Sequence, residues 1–154
     1  RGGIEVASPA ALGAVLARQA EALWALADVT VQQREALRNG RLELLQDLFR
    51  ELQKIGFSAE ALENQRGKMA GELAAQLGCE PKVSAICERL RGEESVSLKE
   101  RAAELEMAVR KLQSEMQILA GLVDENQRLG GMMIAEWRRL QGMYPSRPGV
   151  DFRG

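Results

Sequence analysis

The side chains in this chain that could do chemistry are two thiols and a scatter of carboxylates and basic groups. There is no histidine, which removes the most used general base and the commonest zinc-binding patterns. Cys79 and Cys87 stand eight apart around Pro81. That is too few for a disulfide framework and reads as two reduced thiols in a cytosolic protein, a single local disulfide being the alternative. Glu60, Glu63 and Arg66 form one charged set, and Glu100 and Glu104 another. Both read as solvated helix faces rather than acid–base pairs. Gly130-Gly131 falls inside a helical pattern and lacks the strand and lysine of a phosphate loop. The expectation is therefore no enzyme, no metal and no cofactor.

Contact chemistry is better represented. Five of the six methionines, Met107, Met116, Met132, Met133 and Met143, fall in the last third of the chain, three of them near Trp137 and Tyr144. Methionine is flexible and polarizable and suits surfaces that fit more than one partner; core filling is the other use of the same residues. The expected partner-binding residues are Leu129, Met132, Met133, Trp137, Leu140, Met143 and Tyr144, with Trp137 as the anchor. Arg138 and Arg139 would select acidic flanks on a partner.

Those residues must be carried by helices. Aromatics are only 4% of the chain while 45% is hydrophobic and 28% charged, the composition of long helices packed side by side. Net charge is −1, which gives no pull toward nucleic acid. No window reaches the roughly 18 apolar residues of a membrane span, and no signal-peptide pattern is expected. The first residues, Arg1-Gly2-Gly3, carry no structural weight.

Leu98, Ala102, Leu105, Val109, Leu112, Met116, Leu119, Val123, Asn126, Gly130, Met133, Trp137, Leu140 and Tyr144 alternate steps of four and three, the rhythm of a coiled-coil seam. A helix over 97–143, opened by the capping-box spacing of Ser97-Leu98-Lys99-Glu100, would run about 70 Å at 1.5 Å per residue. Ser8-Pro9 is a helix start, and Leu12, Leu16, Gln19, Leu23, Leu26, Thr30, Gln33 and Leu37 form a second seam, closed at Asn39-Gly40. Leu45, Leu48, Leu52, Ile55, Ala59, Leu62, Arg66, Met69, Leu73 and Leu77 form a third. Gly56-Phe57-Ser58 reads as a kink in it. Arg66 is expected to lay its stem on apolar surface and send its charge to water; a registry-setting contact inside the bundle is the alternative. Asn126 would fix register if that part of the seam is covered.

The reading is all-α: a single helical domain over 1–154, an elongated antiparallel helical hairpin or three-helix bundle with a long C-terminal coiled-coil helix and a short extra helix before it. The helices are placed at 9–38, 41–77, 82–91 and 97–143. Residues 91–95 are a turn and 145–154 a flexible tail. A 30-residue first helix spans about 45 Å, so the last helix would outreach it and leave an apolar edge for a visitor. The glycine pair Gly130-Gly131 would weaken that stretch or admit a close backbone.

Arg38-Asn39-Gly40-Arg41-Leu42-Glu43-Leu44-Leu45, followed by Leu62-Glu63-Asn64-Gln65-Arg66, resembles the FlgN family of flagellar export chaperones. The Leu77-Gly78 stop, a short variable helix, a long final helix with Asn126 at its later turns and a Pro/Gly-rich tail continue the resemblance in order. Gly130-Gly131 departs from the polar and aliphatic residues more common there. The resemblance implies a cytoplasmic chaperone of the flagellar type III export system. It would bind terminal helical segments of hook–filament junction proteins, keep them unassembled and deliver them to export gate components. The competing reading is a structural or sensory coiled-coil module that dimerises or tethers, in which case the chain would be a homodimer.

Overall fold

A computed structural model describes residues 6–124, 135–136, 138–140 and 142–144. The protein is an all-α helical bundle, and no strand occurs among the described residues. Four helices follow in order: α1 (Pro9–Arg38), α2 (Leu42–Leu77), α3 (Val83–Arg89) and α4 (Gly92–Val123). Helical backbone recurs within 135–143, where the Tyr144 N–H reaches the Leu140 carbonyl at 3.2 Å.

The ends of α1 follow from local sequence. Ser8 Oγ accepts the Ala11 N–H at 3.0 Å, and Pro9 occupies the first helical position, where its missing N–H costs nothing. At the other end Gly40 takes φ 65°. The Arg41 N–H then returns to the Ala36 carbonyl at 2.9 Å and the Gly40 N–H to the Leu37 carbonyl at 3.2 Å, which satisfies both of those carbonyls.

Two compact units make up the chain. The first holds the described residues through Ala20 with Ala61–Glu106; the second holds Glu21–Glu60 with the described residues of 107–148. In the first unit, Gln19 Nε2 donates to Glu63 Oε1 at 2.8 Å, although 44 residues separate them. One continuous rod would hold them roughly 66 Å apart, so α2 folds back along α1 as a hairpin. Arg66, one turn after Glu63, donates to the same carboxylate through Nε at 2.9 Å and Nη2 at 3.0 Å. The side chain of Arg66 is only 1% exposed. This corrects the expectation that its charge reaches water and that Glu63 and Arg66 are a solvated set. Glu63, one turn away, is the acceptor that this buried guanidinium needs.

α3 buries Val83, Ile86 and Cys87, and Ser95 Oγ donates to the Cys87 carbonyl at 3.0 Å. Cys79 and Cys87 are free thiols. Burial pushes the Cys87 thiol above its ordinary pKa, with the Lys99 charge pulling the other way. α4 starts earlier than its capping-box pattern suggests. Gly92 opens it at φ 65°, and Glu93 and Glu94 occupy its first turn, where carboxylates favour the positive end of the helix dipole. Residues 92–95 are thus helix, not turn.

In the second unit, Leu23, Leu26, Val29, Thr30, Gln33 and Ala36 of α1 are buried with Leu45, Leu48, Leu52 and Ala59 of α2 and Leu112, Met116, Leu119 and Val123 of α4. Arg34 hydrogen-bonds Glu115, which also meets Lys111 Nζ at 3.0 Å. α2 runs on as helix through Gly56-Phe57-Ser58.

The long final helix is also corrected. α4 has 32 residues, two more than α1 and four fewer than α2. Gln113 Nε2 donates to the Tyr144 carbonyl at 2.9 Å. A straight helix would separate residues 31 apart by roughly 46 Å. Residues 97–143 therefore do not form one rod. The sequence after Val123 begins Asp124-Glu125-Asn126, and both Asp and Asn are weak helix formers. Asn126, Gly130, Gly131 and the tail 145–154 lie outside the described residues.

Candidate partner-binding segment

Four of the expected partner-binding residues, Leu129, Met132, Met133 and Trp137, lie outside the described residues. The other three are placed. Leu140 and Tyr144 are buried and Met143 is half-buried. The apolar edge expected to stand open is thus closed at Leu140 and Tyr144, which pack into the second unit of their own chain.

α2 supplies the seat. A methyl group at Gly56 would lie 3.6 Å from Leu140 Cδ2 and 3.5 Å from Glu136 Oε2, and it would collide with the Arg139 guanidinium. Gly56 is therefore a notch that lets the C-terminal segment approach α2 closely. Its sequence signal, a glycine inside a helical pattern, reads as a kink and not as a seat.

Charge fixes the segment in register. Arg139 Nε donates to Glu136 Oε2 at 3.0 Å, and Nη2 lies 2.9 Å from the same oxygen. Nη1 lies 3.5 Å from Glu60 Oε1 on α2. The guanidinium also sits 5.5 Å from the centroid of the Phe57 ring, within cation–π range. Glu136 is buried, so its carboxylate needs this partner. Arg139 serves its own chain here, while Arg138 is exposed. Sequence reasoning placed Glu60 in a solvated charged set and Phe57 only in the Gly56 kink, and it did not pick out Gln113 or Glu136; nothing in their spacing distinguishes them from ordinary surface positions.

Glu115 is the other perturbed carboxyl of this unit. Burial raises its pKa, but the hydrogen bonds and charges of Lys111 and Arg34 outweigh that and hold it below its ordinary value. No cluster of three or more potential metal ligands occurs among the described residues. Among them, too, no helix is long and apolar enough to cross a membrane.

The FlgN protein family model matches residues 8–140, which takes in all four helices and the start of the C-terminal segment. The chain belongs to the FlgN family. FlgN proteins are flagellar export chaperones, so the role of this chain lies in flagellum assembly through binding to exported proteins. No curated protein and no solved structure matches it. Membership gives the hairpin cluster a meaning. The Glu63 and Arg66 of the family-like Leu62-Glu63-Asn64-Gln65-Arg66 stretch are the pair that Gln19 joins across α1 and α2.

Proposed function

We propose that this FlgN-family chain acts in the cytoplasm. It binds the terminal helical segments of flagellar hook–filament junction proteins, keeps them unassembled and hands them to the export apparatus. The observation that carries the reading is the C-terminal segment. It gathers Leu140, Met143 and Tyr144 beside Trp137 in sequence and is not continuous with α4. An amphipathic client helix would self-associate if left free, and an apolar helical partner satisfies it face to face. Leu129, Met132 and Met133 would extend the contact, with Trp137 as its anchor. Binding requires no catalysis.

The test is Trp137→Ala in the full chain, titrated against a purified hook–filament junction protein. Client affinity is expected to fall at least tenfold, while circular dichroism and melting temperature stay near wild type. A variant that unfolds would place Trp137 in the structural core. A folded variant that binds as tightly as wild type would remove the segment from the client site.

A further inference from the structure

Leu140 and Tyr144 belong to the proposed client face, yet their own chain buries them. We propose that the C-terminal segment is a self-bound clasp: it occupies the Gly56 seat on α2 and must leave that seat before its apolar residues can engage a client. This rests on the chaperone reading above and adds its regulation.

The contacts suit release. Beside the apolar burial of Leu140 and Tyr144, Arg139 joins the segment to α2 through Glu60, the two side chains being 31% and 47% exposed, and through the exposed Phe57 ring. Ion pairs that wet are weak and screened by salt. The hydrogen bond from α4 goes to a backbone carbonyl, that of Tyr144. The last carbonyls of any helix lack intrahelical partners, so water satisfies that carbonyl once the segment leaves. Gly56 gives the seat its depth without a side chain.

A chain that is mostly closed binds a client more weakly by the fraction that is open. Damage to the seat should therefore tighten capture. Two variants alter α2 alone and leave the segment intact. Gly56→Leu fills the notch; Glu60→Lys replaces an attraction on Arg139 with a repulsion on an exposed side chain and spares the core. Hydrogen exchange of residues 135–144 in the full chain reads the clasp without a client. Titration with the same purified junction protein reads its consequence.

Exchange in 135–144 is expected to rise roughly threefold to fivefold for Glu60→Lys and about tenfold or more for Gly56→Leu, with client affinity rising in the same order. Should Gly56→Leu fail to fold, Glu60→Lys carries the test alone. Unchanged exchange in Glu60→Lys would overturn the clasp. Faster exchange with equal or weaker capture would also overturn it, because the segment would then be structural. If wild type and both variants bind no junction protein while exchange rises, the chaperone reading fails and the inhibitory role falls with it.

Discussion

Arg34 on α1 and Glu115 on α4, 81 residues apart, meet in a direct hydrogen-bonded ion pair. Both side chains are largely buried, at 17% and 8% exposure. Lys111 shares the carboxylate from one turn earlier. Two cations on one buried carboxyl make its ionised form part of the fold.

The pH dependence follows from the sign of that shift. The carboxyl is held below its ordinary 4.5 in the folded chain. Its contribution to stability is full above that value and is lost as pH falls through the lower, folded one. The melting temperature should stay flat from neutrality to about pH 5 and then decline. Glu115→Gln should lower stability at pH 7 by about 1–3 kcal/mol and flatten the acid limb. An unaltered acid limb in that variant would show that Glu115 does not control it.

The cluster of Gln19, Glu63 and Arg66 predicts an asymmetric pair of substitutions. Arg66→Ala opens space around a seam position and takes the buried cation from Glu63. It should cost about 2–4 kcal/mol in urea unfolding. Arg66→Met keeps the volume without the charge and should recover at least half of that loss. Equal losses for both would mean that the charge, not the packing, is what the hairpin needs.

Gln33 gives a prediction of opposite sign. Its side chain is fully buried in the second unit, and neither amide atom has a hydrogen-bond partner among the described residues. An unsatisfied buried amide costs about 1–3 kcal/mol. Gln33→Met should therefore raise stability by about 1–2 kcal/mol, visible as a higher urea midpoint with an unchanged slope. A lower midpoint would mean that the amide earns its place through a contact formed in solution.

The sequence by itself determined the local grammar of this protein. Ser8-Pro9 and Asn39-Gly40 set the ends of α1 because capping chemistry acts over three or four residues. The seams were legible for the same reason: Leu12 to Gln33 on α1 and Leu98 to Val123 on α4 repeat with the helical period. The family stretch around Leu62-Glu63-Asn64-Gln65-Arg66 was likewise readable in the chain. Tertiary structure alone decided where the charges and the last segment go. Arg66 is buried because Glu63 and Gln19 gather around it, and Gln19 lies on another helix. Gly56 is a notch because Arg139 and Leu140, far along the chain, arrive against it. A heptad rhythm fixes which side of a helix is apolar. It does not say whether the helix continues past Val123, nor which neighbour covers Leu140, because both depend on contacts between residues far apart in the chain.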